Sequence, residues 1–207
     1  MNKPVVAVAC GLAMLFALAA HAQDRKRGAD EYKLCAGCHG FRGEGNAQVK
    51  APALGGQESW YLERQIQNFR RGVRGGELDD QHGRTMAQMS MGLASDQHVD
   101  DLVAYMGTLP QASPEATLGG DSAKGKTHYA ACAACHGAAA EGNVNLNAPA
   151  LARLDDWYQL TQLNKFRGGQ RGAHPDDTYG RQMAPMANVL ADENAIRDVL
   201  AYIQSMR

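Results

Sequence analysis

CAGCHG at Cys35–Gly40 and CAACHG at Cys132–Gly137 are two copies of one hexapeptide, 97 positions apart. Outward from them the offset holds without a gap. EGN at Glu44 returns at Glu141, APAL at Ala51 returns at Ala148, and the Trp-Tyr pair at Trp60 returns at Trp157. Phe69-Arg70 matches Phe166-Arg167, Gly83-Arg84 matches Gly180-Arg181, and Ala104-Tyr105 matches Ala201-Tyr202. One offset sustained over so many positions marks a tandem duplication. The connector TLPQASPEATLGG, Thr108–Gly120, carries two prolines and a terminal glycine pair, which interrupt regular structure. The expected domains are therefore residues 23–110 and 121–207, joined by a linker over 111–120.

Each half reads as three helices. The first leads into the cysteine pair, over Arg25–Cys35 and Ala123–Cys132. The second spaces aromatic and aliphatic residues helically, over Glu58–Arg70 and Asp155–Phe166. The third starts at Ser95 or Asp192, both suitable N-caps, and keeps Val99, Leu102, Val103 and Met106 on one face. No segment alternates as a strand does, so the expected fold is all-α.

The N-terminus, MNKPVVAVACGLAMLFALAAHAQD, has one lysine, an apolar run over Val5–Ala20 and the small-residue pattern Ala20-His21-Ala22. That is the form of a secretory signal peptide, residues 1–22, cleaved after Ala22. The apolar run is shorter than the roughly 20 residues that span a bilayer. Loss of Lys3 leaves 20 Lys plus Arg against 22 Asp plus Glu, with no basic stretch to bind nucleic acid and no acidic tail. The remaining chain is poor in aromatic residues for two small domains, and small domains of this kind lean on a disulfide, metal or cofactor.

The two cysteine pairs decide which. A zinc ribbon places its pairs some 15–20 residues apart, whereas these lie in separate repeats, and a thioredoxin-like pair needs a βαβ setting. A structural disulfide across two residues closes a tight loop. The histidine directly after each pair settles the reading, because C-x-x-C-H is the attachment signature of c-type haem. Cys35 and Cys38, and again Cys132 and Cys135, add as thioethers to the porphyrin, while His39 and His136 become the proximal iron ligands. Two covalently bound haem c groups are expected.

The sixth iron position decides between carrier and catalyst. His82, His98, His128 and His174 have no histidine at the 97 offset and read as surface residues. No cysteine is left after signal removal beyond the CxxCH pairs, so a thiolate ligand is excluded. Methionine does recur. Met86 matches Met183 and Met89 matches Met186, whereas Met91 falls opposite Asn188 and reads as apolar filler. A thioether favours ferrous iron and closes the sixth site. Arg84 and Arg181 beside this element are candidates for pairing with haem propionates.

These residues resemble the class I c-type cytochromes, and among them the tandem dihaem cytochrome c-four family. The motifs are CxxCHG twice, Gly-x-x-x-Tyr before each (Gly28/Tyr32 and Gly125/Tyr129), P-x-L at Pro52–Leu54 and Pro149–Leu151, and Met-x-x-Met before a last helix ending in Ala-Tyr. The resemblance implies two tandem class I cytochrome c domains, with Gly28 crossing Tyr105 and Gly125 crossing Tyr202. It implies that the Pro52 and Pro149 carbonyls hold the proximal histidines, and that Met86 and Met183 ligate iron. The interval from this element to the last helix is one residue longer than the family pattern, which keeps Met89 and Met186 as the alternative pair. The implied function is periplasmic electron transfer from a dehydrogenase or quinol-oxidising complex to a terminal oxidase or reductase, without enzymatic activity of its own. The alternatives are an electron-accepting haem subunit of a larger complex and, from another class, a dihaem peroxidase or thiosulfate dehydrogenase.

Overall fold

The computed structural model describes residues 23–207, so the expected signal peptide lies outside it. Eight α-helices follow in order: α1 (Arg25–His39), α2 (Ser59–Arg70), α3 (Gln81–Met91), α4 (Asp96–Met106), α5 (Ser122–His136), α6 (Asp156–Gly168), α7 (Thr178–Ala187) and α8 (Glu193–Gln204). Among the described residues β-structure is confined to isolated bridges, Asn46 with Ala51 and Asn143 with Ala148. None of the helices is long and apolar enough to cross a membrane.

Helices α1 and α5 begin on aspartate caps. Asp24 accepts from the Lys26 and Arg27 N–H groups, and Asp121 from those of Ala123 and Lys124. Both helices run on through the whole CxxCH motif, four residues past the expected ends at Cys35 and Cys132. They stop where Gly40 and Gly137 take φ values of 81° and 84°, a conformation that costs glycine nothing.

Helices α3 and α7 were not expected, since the Met element carries few apolar residues and α7 contains Pro185. Their nuclei are caps. Asp80 accepts from the Gly83 N–H at 2.8 Å, and Asp177 from the Gly180 N–H at 2.9 Å. Met91, at the end of α3, is 60% exposed and so fills no core.

Within each half the first and last helices cross. A Cβ on Gly28 would fall on the Asp101 carbonyl oxygen and against Tyr105, and one on Gly125 would fall on the Asp198 carbonyl oxygen and against Tyr202. Around the first crossing Tyr32, Leu62, Val99, Leu102, Val103 and Met106 are buried together. Around the second the buried set includes Tyr129, Leu190, Ile196, Val199, Leu200 and Ile203. The Tyr32 and Tyr129 hydroxyls donate to the carbonyls of Gly40 and Gly137 at 2.8 and 2.7 Å, which fixes the end of each CxxCH helix to its own core.

Candidate cofactor site

The carbonyl that meets each CxxCH histidine comes from a short hairpin. Asn46 and Ala51 exchange backbone bonds of 2.7 and 3.0 Å, as do Asn143 and Ala148, and this turns the next residue, proline, back toward the helix end. His39 Nδ1 lies 2.8 Å from the Pro52 oxygen, and His136 Nδ1 lies 2.7 Å from that of Pro149. A carbonyl only accepts, so each Nδ1 carries the proton and Nε2 keeps its lone pair. Burial lowers the pKa of both imidazoles, partly offset by these bonds, which favours the neutral form a metal requires.

In the N-terminal half, Cys35, Cys38, His39, Met86 and Met89 all line one cavity of about 360 Å³. Among the described residues no two cysteines are joined in a disulfide. Cys35 and Cys132 are largely enclosed, and burial pushes their thiols up; Cys38 and Cys135 are exposed. Met86 and Met183 are half-buried, whereas Met89 and Met186 are 40% and 39% exposed. In the C-terminal half, His136 and Tyr129 repeat the burial of His39 and Tyr32. His82 also lines the N-terminal cavity although it is exposed, and His98 bonds Glu31 at 2.5 Å.

The cavity is not made by one half alone. Leu154, Trp157, Tyr158, Thr161, Gln162 and Lys165, on or just before α6, form one of its walls. The buried Trp157 Nε1 has no protein partner. An apolar chamber with free thiols at one end, a histidine presenting a lone pair and an unused indole donor fits a haem with its carboxylates.

The buried cations of the interface were missed by sequence reasoning. Arg84 and Arg181 lie exposed, donating to the Leu78 and Pro175 carbonyls at 3.2 and 3.3 Å. Four other arginines reach across: Arg64 to Asn147, Arg153 to the Gly56 carbonyl, and the repeat pair Arg74 and Arg171. Arg74 donates to Gln65 of its own half at 2.7 Å, and to Tyr158 and Gln162 of the other at 2.9 and 2.8 Å. Arg171 repeats this on Gln162, Tyr61 and Gln65 at 3.1, 3.1 and 3.0 Å. The guanidiniums stack on Phe69 and Phe166, each 4.5 Å from the ring centre. Burial opposes ionisation of the Tyr158 phenol, but the two arginines together hold its pKa below the usual value. The signal was available, since Tyr61, Gln65 and Arg74 recur at Tyr158, Gln162 and Arg171 with the same offset. Lys165 adds a cross-domain ion pair with the buried Asp80 at 2.5 Å, and its repeat position, Asn68, has no such charge.

Two helical halves, each presenting a CxxCH helix end against a proline carbonyl, define a tandem c-type cytochrome. The family model for cytochrome c matches residues 26–110 and again 122–207, and the chain belongs to that family. It is 29% identical over 205 residues to a thiosulfate dehydrogenase electron acceptor of Stutzerimonas stutzeri, a match covering 91% of this chain and 89% of that protein. Reduced cytochrome c4 from Pseudomonas stutzeri superposes with a TM-score of 0.66 at 26% identity, covering 90% of this chain and all of that one. The thiosulfate dehydrogenase TsdBA of Marichromatium purpuratum gives 0.69 at 26% identity, over 86% of this chain but 39% of that longer chain. The protein is a dihaem electron-transfer cytochrome with two covalently bound haem c groups.

Proposed function

We propose that this chain is an exported, periplasmic carrier that accepts electrons from a partner dehydrogenase and passes them to a second redox protein. Cys35 and Cys38 hold one haem and Cys132 and Cys135 the other, with His39 and His136 as proximal ligands. Met86 and Met183 would hold the iron from the side opposite each proximal histidine through their thioether sulfurs. The bound haems supply one-electron exchange between ferric and ferrous iron. The protein presents neutral imidazoles in a fixed tautomer and keeps water from the N-terminal ring with its α6 wall.

The observation that carries this reading is the repeat of one proximal geometry, 2.8 Å in one half and 2.7 Å in the other, at the ends of two repeated CxxCH helices. The relative named as an electron acceptor of thiosulfate dehydrogenase favours a thiosulfate-oxidising enzyme as the donor, with this chain as its acceptor or partner subunit. The test is a spectroscopically followed redox titration of the holoprotein. We expect two haems per chain, low-spin ferric iron at both, and a near-infrared sulfur-to-iron band. A high-spin ferric site, or turnover of thiosulfate or peroxide by the purified chain alone, would overturn the carrier reading.

A further inference from the structure

Glu58 and Asp155 hold the N-cap positions of α2 and α6, yet neither side chain caps its own helix. Both cross to the other half instead. Asp155 Oδ2 accepts from the Ala53 N–H at 2.8 Å, and the Glu58 carboxylate accepts from the Ala150 N–H at 3.1 and 3.3 Å. The two contacts are repeats of each other, since 53 and 150, like 58 and 155, differ by 97. Ala53 and Ala150 are buried, 3% and 0% exposed, so neither amide has water as an alternative partner.

Those two amides are not arbitrary. The Ala53 N–H and the Pro52 carbonyl are the two ends of one peptide group, as are those of Ala150 and Pro149. The far ends accept from His39 and His136. A continuous line therefore runs from the carboxylate of one domain, through a single peptide group, to the proximal imidazole of the other. Peptide groups in such chains polarise one another. A carboxylate drawing on the N–H makes the carbonyl oxygen more negative, a stronger acceptor, and the imidazole a stronger donor of charge to its metal. Partners of this kind on a metal-bound histidine fix its ring and raise its basicity, and here the partner is lent by the neighbouring domain.

We infer that Asp155 and Glu58 are positioning residues that each tune the haem of the opposite domain, Asp155 the N-terminal haem and Glu58 the C-terminal one. Each carboxylate favours ferric iron and so lowers the potential of the haem across the interface. Separating the domains would lift this bias from both haems.

The test follows each haem's own methyl signals by NMR during a redox titration of the holoprotein. The N-terminal haem is assigned through Overhauser contacts to Leu62 and Ile66. Asp155→Asn keeps size and an acceptor oxygen but removes the charge. It should shift the N-terminal haem up to about tenfold toward ferrous, tenfold being 59 mV for one electron, and leave the C-terminal haem in place. Glu58→Gln should do the reverse. The Nδ1 proton of the affected histidine should move upfield in the ferrous protein, as its hydrogen bond weakens. Asp155→Glu restores the charge in the form already used at position 58 and should return the wild-type potential. A shift at the haem of the mutated domain, equal shifts at both haems, or no shift at either would overturn the inference. Glu58→Gln, on the less enclosed side chain, gives an independent answer if Asp155→Asn folds poorly. The inference rests on one haem per domain, and a haem count on the same samples checks that separately.

Discussion

At the scale of single residues, the CxxCH histidine and the Met element carry unequal information. His39 is legible because chemistry fixes its place: the residue after the second cysteine stands at the helix end, and one proline carbonyl meets it. Met86 and Met89 are three residues apart on α3 and both line the cavity, so spacing alone cannot rank them. Met86 is half-buried and Met89 is 40% exposed, and Met86 is the ligand we propose. Met86→Ala should open the N-terminal haem to cyanide or imidazole and lower its potential, while Met89→Ala leaves the bands of both haems unchanged. Ligand titration followed in the visible spectrum distinguishes the two. The cluster's third methionine illustrates how residue type misleads. Met91 has the composition of core filler, yet it sits in the last turn of α3 and faces water.

Among the elements, what the sequence concealed was short helices built on caps. The α4 face of Val99, Leu102, Val103 and Met106 is visible from its spacing and is buried as expected. Helix α3 has no comparable stripe; it is held by Asp80 at its start, a local bond that periodicity does not register. The extension of α1 and α5 through CxxCH was equally hidden, because the motif carries no apolar stripe to mark its helical period. Crossings, by contrast, are written in single letters. Gly28 is required where α1 meets the α4 backbone, and its first methyl group would overlap the Asp101 carbonyl. Gly28→Ala forces the two helices apart and should destabilise the N-terminal domain by about 1–3 kcal/mol, the usual cost of overpacking, read as an earlier thermal transition of the holoprotein. Gly125→Ala should do the same to the C-terminal domain.

The duplication, at the scale of the whole molecule, is visible in the sequence, but the contact between its halves is not. An offset reports which residues recur; it does not report that Tyr61, Gln65 and Arg74 recur because they face their own copies. The two arginines are interleaved through shared glutamines, so neither half can satisfy its buried polar groups by itself. Arg74→Leu strands the Tyr158 hydroxyl, leaves the Gln65 and Gln162 oxygens to Arg171 alone, and should cost about 1–3 kcal/mol. The expected readout is independent tumbling of the two domains in NMR relaxation, where the wild type relaxes as one body.

The α6 wall has a consequence for maturation. Cys35 and Cys38 emerge from any N-to-C delivery more than a hundred residues before Trp157 and Lys165, which enclose the same chamber. Until residues 154–165 have folded onto the N-terminal half, that chamber lacks one wall, so the site whose cysteines come first in the chain is completed by residues that come more than a hundred positions later.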